Sequence, residues 1–180
     1  MRILGIDTSN YTTSVALAGE DGFRQSRKIL SVGKLLEGEG AKKCALALVG
    51  NDSAEWRQAG YALLGAAEED AGSFTAAIAA YRRAMSEKAM VEDLAGAALR
   101  LGKLESRSGE YDAAEVTLKK AVELNGSDTR ARAEAYVALA KTALAKGDKR
   151  AARGYATVVT ALFDDKALCA EAGEILEKTK

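Results

Sequence analysis

The sequence predicts a mostly α-helical fold, in which about three antiparallel helix pairs and a capping helix form a solenoid preceded by a short β-meander. Three observations carry this prediction. The 180 residues contain no proline, which favours long uninterrupted helices. Beyond about residue 50, alanine and leucine recur at helical spacing. A segment in that region also occurs three times, with a period of 37 and then 38 residues.

The first 40 residues have a different pattern from the rest of the chain. The runs "RILGID", "TSVALA" and "FRQSRKIL" favour strands, and "TSNYT" and "GEDG" favour turns between them. These runs predict a three-stranded meander, which needs a partner surface because an isolated hairpin is marginal in water. The glycine-rich stretch "SVGKLLEGEG" follows as a junction. We therefore expect a segment over residues 1–40 and a helical repeat domain over residues 41–180.

The remainder of the chain predicts a run of helices. The stretch "AKKCALALV" (41–49) is expected to be a degenerate helix leading into the repeats, and Asp52 and Ser53 offer an N-cap for the next helix. The last helix is expected to cover the open end of the array. The predicted ranges are 53–70, 73–86, 91–107, 110–124, 128–146, 148–162 and 165–179.

Three segments align in register: "AGSFTAAIAAYRRAM", "SGEYDAAEVTLKKAV" and "KGDKRAARGYATVV". Each contains a helix-breaking glycine at the same place, namely Gly72, Gly109 and Gly147. Small residues at matched positions let two helices approach closely while larger side chains fill the space beside them. The matched positions after the glycines are Ala77, Tyr81 and Ala84; Ala114, Leu118 and Ala121; and Ala152, Ala156 and Val159. The matched small residues that lie seven positions before these glycines are Gly65, Gly102 and Ala140.

This pattern resembles the tetratricopeptide repeat family over residues 53–180. The motif is clear in two copies and weaker in the third, and the proline that usually closes each repeat is absent. The resemblance implies a concave groove that binds a peptide or protein partner, with Lys103 and Lys141 orienting an acidic group. The alternative is that both lysines are merely solvated. The implied groove residues are Ala62, Ala66, Glu69, Leu99, Lys103, Ser106, Val137, Lys141 and Leu144.

The opening stretch "LGIDTSNYTTSVAL" (4–17) resembles the first hairpin of the glycoprotease-like family, which makes threonylcarbamoyl-adenosine in transfer RNA and belongs to the actin/sugar-kinase ATPase superfamily. The resemblance implies that Asp7, Thr8, Ser9 and Asn10 would face nucleotide phosphates. It ends near residue 30, and no second phosphate loop or second lobe follows. The alternatives are a capped turn without ligand, a hairpin that completes a partner's ATPase lobe, and a gene-fusion or decayed fragment.

Composition restricts the function classes. The 26 basic and 26 acidic residues cancel, so no global field favours nucleic acid or a membrane surface. The chain has no histidine and no apolar run of membrane-span length, and Cys44 and Cys169 are isolated, which predicts two buried thiols in a reducing compartment. The segment 141–155 carries five basic residues against one acidic residue. It is expected either to meet an acidic partner or nucleic acid, or to be an ordinary solvated turn.

These observations predict a non-catalytic scaffold for protein interaction or assembly. We expect a protein or peptide partner, no nucleic acid, no cofactor, no metal and no catalytic residue. The location is expected to be cytoplasmic, although the repeats also resemble helical segments of cell-envelope assembly proteins. The alternative hypothesis is a truncated ATP-binding protein of transfer-RNA modification.

Overall fold

The computed structural model describes residue 33, residues 36–89 and residues 94–180 of the chain. Within these ranges the chain forms eight helices, and Gly33 is a further helical residue that precedes them. Contacts divide the chain into two compact units, Met1–Val91 and Glu92–Lys180. The helices are α1 (Gly38–Val49), α2 (Ala54–Asp70) and α3 (Phe74–Ser86) in the first unit, and α4 (Leu94–Arg107), α5 (Tyr111–Leu124), α6 (Thr129–Lys146), α7 (Lys149–Leu162) and α8 (Lys166–Lys178) in the second.

The seven helices predicted beyond residue 50 are confirmed. Six of them begin one residue later than predicted, because the predicted starts included the N-cap residue. The seventh is α4, whose first described residue is Leu94. Helices α2 and α3 pack on each other and are joined by residues 71–73, so they form a helical hairpin. Helices α4 and α5, and then α6 and α7, repeat this arrangement in the second unit.

The predicted fold class is wrong in its β-meander, because the described part of the chain contains helices and turns but no strand. Residues 1–32, where the strands were predicted, lie outside the described residues. In the junction that was predicted to separate the meander from the helices, Gly33 is already helical and buried. A Cβ atom there would lie 2.5 Å from Cδ2 of Leu63 and 3.0 Å from Cβ of Cys44. Close helix packing at this glycine outweighs its poor helix propensity.

The second helix of each pair buries one matched stripe of side chains. A Cβ atom at Gly65 would lie 2.5 Å from Cδ1 of Tyr81, and one at Gly102 would lie 2.5 Å from Cγ of Leu118. The small residue on the first helix therefore provides the space that the large side chain of the second helix fills. No residue of the stripe is more than 1% exposed. Its members are Ala77, Tyr81 and Ala84; Ala114, Leu118 and Ala121; and Ala152, Ala156 and Val159.

Helix α1, predicted as a degenerate leading helix, carries a fourth copy of this stripe. Ala41, Ala45 and Leu48 are buried at the corresponding spacing. Helix α2 approaches α1 closely at Gly60, where a Cβ atom would lie 2.7 Å from the backbone nitrogen of Val49. Helix α1 is therefore an integral layer of the first unit.

Aspartates cap the last three helices. The Asp128 carboxylate accepts a hydrogen bond from the Ala131 amide at 3.0 Å, and Asp148 accepts one from Ala151 at 2.9 Å. Asp165 accepts from two amides at the start of α8. Ser53, the predicted cap of α2, makes no capping bond through its side chain; its own amide donates to Oδ1 of Asn51 at 2.9 Å.

Replacing Asp128 by alanine is expected to lower the free energy of unfolding by about 1 kcal/mol, because the Ala131 amide loses its acceptor. Urea denaturation followed by circular dichroism measures this change. Thr129→Ala, one residue further along and exposed, is the matched control and should leave the stability within about 0.5 kcal/mol of the wild type. Equal losses in both variants would contradict the assigned cap.

The final helix closes the core of the second unit. Ala172 and Ile175 of α8 are buried in a cluster that includes Val137 of α6 and Val159 of α7. Helix α8 packs against both α6 and α7, as the prediction of a covering helix requires. None of the described helices combines the length and apolar character that a membrane span requires.

Candidate protein-binding face

The first helices of the pairs lie side by side in the second unit, where α4 packs on α6 and α6 packs on α8. This arrangement sets the exposure of the predicted groove residues. Three of the predicted residues lie on α2 of the first unit, and the other six lie on α4 and α6 of the second unit.

In the first unit, the predicted groove residues lie on α2. Ala62 and Ala66 are half-buried. Glu69 is also half-buried, and its carboxylate accepts a hydrogen bond from the Tyr81 hydroxyl at 3.0 Å. Glu69 therefore holds the second helix of its own pair.

In the second unit, the apolar residues predicted for the groove are buried or half-buried. Leu99 is 8% exposed and Val137 is 3% exposed, and Leu144 is half-buried against the same core cluster as Val137. Helix α6 packs against α4, α5, α7 and α8, so its apolar positions are covered. Little area of these side chains is available for direct contact with a partner.

The two predicted lysines are exposed, but each already lies beside a carboxylate of the neighbouring helix. Lys103 Nζ lies 3.9 Å from Oε2 of Glu134, and Lys141 forms an ion pair with Glu171. The lysine side chains are 49% and 55% exposed, so these pairs remain in contact with water. The face is therefore a row of mixed charge.

Sequence reasoning missed Glu134 and Glu171. The available signal was their regular spacing, since Glu171 follows Lys141 by 30 residues and Glu134 follows Lys103 by a nearly equal interval. That spacing is shorter than the repeat of 37 or 38 residues. In the following helix pair, the carboxylate lies seven residues, or almost two helical turns, before the position that corresponds to the lysine.

Hydroxyl groups connect the same two helices below the charged row. The Ser106 and Thr142 hydroxyl oxygens lie 3.0 Å apart, linking α4 to α6. Beside them, the buried carboxylate of Glu105 accepts a hydrogen bond from Thr117 at 2.8 Å. Ser106 therefore serves packing between the helices, which the sequence did not indicate.

A polar cluster links the second helices α5 and α7. Glu115 Oε1 lies 2.7 Å from Lys119 Nζ and accepts a hydrogen bond from the Tyr155 hydroxyl at 3.2 Å. The hydrogen bond from Lys119 lowers the pKa of Glu115, and burial raises the pKa of Tyr155. Lys146, from the basic segment 141–155, reaches Asp112 Oδ1 at 2.5 Å.

Asp7, Thr8, Ser9 and Asn10 lie outside the described residues. Within residues 36–89 and 94–180, no three Cys, Asp or Glu side chains cluster as metal ligands would. Both cysteines are free: Cys44 is buried, which raises its pKa, whereas Cys169 is only half-buried.

Comparison with known proteins supports the repeat. The tetratricopeptide repeat family model matches residues 95–128, which span α4, α5 and the loop before α6. No curated protein matches the chain, and no solved structure does. The match supports the tetratricopeptide resemblance and suggests a role in protein–protein interaction. Such repeats are typically non-enzymatic interaction modules. None of the comparisons supports the glycoprotease-like resemblance. The domain boundary at residue 40, the gene fusion and the cytoplasmic location stay predictions.

Proposed function

We propose that the chain is a non-catalytic interaction scaffold that binds a peptide or protein partner on the exposed face of α4 and α6. The observation that carries the proposal is the stacked helix pair itself, whose α4–α5 copy matches the tetratricopeptide repeat. Stacked pairs of this kind form extended surfaces that other polypeptides use for binding.

The charges on this face define the chemistry of the partner. A carboxylate of the partner that approaches Lys103 or Lys141 shares the ammonium group with Glu134 or Glu171. Because both pairs are exposed, this exchange has a small energetic cost. A partner segment with alternating acidic and basic groups fits the row best, since it pairs with the lysines and with the glutamates.

Photo-crosslinking tests the proposal. Benzoylphenylalanine is introduced at position 103, at position 141 and, as a control on the second-helix side, at the exposed position 120. We expect one partner to be captured from positions 103 and 141 and not from position 120. Equal capture from position 120 would contradict the assignment of the binding face.

The captured partner then allows an affinity test. We expect K103E/K141E to weaken binding about tenfold or more, because two favourable charge contacts become repulsive. The control K88E/K120E makes the same change of net charge at one exposed lysine of the first unit and one of α5, and it should leave the affinity within about twofold. An affinity of K103E/K141E equal to that of the control would overturn the proposal.

A further inference from the structure

Helix α7 exposes a face of uniform positive charge. Lys149, Arg150 and Arg153 are all exposed in its first two turns. The helix, Lys149–Leu162, contains no Asp or Glu. The exposed positions that follow, Gly154 and Thr157, are uncharged. We call Lys149, Arg150 and Arg153 the basic face.

No ion pair joins the basic face to any carboxylate in the part of the chain that the structure describes. Other lysines of the second unit differ in this respect, since Lys103, Lys141 and Lys146 each lie beside an acidic side chain. The charges of the basic face are therefore available to a group outside the chain.

The position of these charges is unfavourable for the helix. The N-terminal end of a helix carries a partial positive charge, so cations in the first turns are repelled and anions are favoured there. Helix α7 has no acidic residue in its first turn, and the Asp148 cap is the acidic group at this end. Helix stability does not explain three cations at this place.

The repeat does not explain them either. The residues of α5 that match Arg150 and Arg153 are Asp112 and Glu115, and the residue that matches Lys149 is Tyr111. In α3 the residue that matches Lys149 is Phe74. The third copy departs from the other two at the positions that form the basic face.

We propose that the basic face of α7 is a docking surface for a short acidic segment of a partner polypeptide. The residues Lys149 and Arg153 are separated by about 6 Å along the helix axis, which suits two or three neighbouring carboxylates. The guanidinium groups of Arg150 and Arg153 offer paired N–H donors that match a carboxylate.

A nucleic acid fits this surface less well. A phosphate backbone needs a longer positive track, whereas Asp148 lies in the preceding turn and Asp112 is exposed beyond Lys146. The Tyr155 ring next to the basic face is half-buried and donates its hydroxyl to Glu115, so it is not presented for stacking on a base.

Fluorescence anisotropy with the full chain tests the proposal. The probes are a fluorescein-labelled hexapeptide of alternating Asp and Glu and, separately, a labelled oligothymidylate. The test variant is K149E/R150E/R153E. The matched control is K120E/K166E/K178E, which makes the same change of net charge at exposed lysines of α5 and α8.

We expect the wild type to bind the hexapeptide and the test variant to bind it about tenfold or more weakly, while the control stays within about twofold. The thermal midpoint of the test variant should equal or exceed that of the wild type, because Glu suits the first turns of a helix. A lower midpoint would contradict the argument from helix charge.

Three results would overturn the proposal: no hexapeptide binding by the wild type, equal losses in the two variants, or tighter binding of oligothymidylate that the test variant abolishes. The proposal is independent of the binding face on α4 and α6. K103E/K141E is therefore expected to retain hexapeptide affinity within about twofold, so failure of one proposal is distinguishable from failure of the other.

Discussion

Replacing Leu118 by alanine is expected to lower the free energy of unfolding of the second unit by about 2–5 kcal/mol. Leu118 is 0% exposed, and its side chain fills the space that Gly102 leaves on α4. Truncation removes apolar burial and leaves a cavity that the surrounding helices cannot fully close. Urea denaturation monitored by circular dichroism measures the loss.

Val116 provides the matched control for this prediction. It lies on the same helix two residues earlier, but it is 71% exposed. Val116→Ala should change the stability by less than about 0.5 kcal/mol. Similar losses from both substitutions would show that the matched stripe does not hold α5 in place.

The substitution Gly102→Ala is expected to destabilise the second unit by about 1–3 kcal/mol through overpacking, reduced by up to about 1 kcal/mol from improved helix propensity. The new Cβ would lie 2.5 Å from Cγ and 2.7 Å from Cδ2 of Leu118. Because Leu118 is fully buried, it has little room to move away. Thermal or urea unfolding measures the net effect.

Two further variants test whether the loss in Gly102→Ala arises from contact with Leu118. Gly96, on the same helix, is exposed and a Cβ there would meet no atom within 4 Å, so Gly96→Ala should raise the stability by up to about 1 kcal/mol. In a Leu118→Ala background, Gly102→Ala should become neutral or stabilising, because the clash is removed. Additive losses in the double variant would contradict direct packing of Gly102 on Leu118.

The repeated helices were predictable because their signal is local and periodic. The turn glycines Gly109 and Gly147 have φ angles of 80° and 89°, a conformation that favours glycine, so these residues mark where one helix ends. The small and large residues that follow recur at fixed spacing. These positions are buried in the structure, so the sequence pattern identified the core as well as the helices.

The helical start of the first unit was less predictable, because its glycines are explained by packing between helices and not by local sequence. Glycines near residues 33 and 38 suggest a flexible junction by propensity alone. The structure shows that Gly33 and Gly60 are places where helices pack too closely for a Cβ atom. The propensity argument therefore treated Gly33 and the start of α1 as a junction, although both are helical in the structure.

The candidate site was predicted only in outline. Lys103 and Lys141 are exposed as expected, but Leu99 and Val137 are buried, and Val137 belongs to the core cluster that α6 forms with α7 and α8. The partners of the lysines, Glu134 and Glu171, lie on other helices. Ion pairs between helices depend on how the helices stack, so no local sequence motif predicts them.

The affinity of a charge-swapped variant for the crosslinked partner tests the central claim most directly. The variant K103E/E134K/K141E/E171K keeps both of these ion pairs while reversing the charges that face the partner, and it loses the exposed pair between Arg130 and Glu134. We predict a free energy of unfolding within about 1 kcal/mol of the wild type and an affinity about tenfold weaker or worse. Wild-type affinity in a fully folded swapped variant would contradict a binding face on α4 and α6.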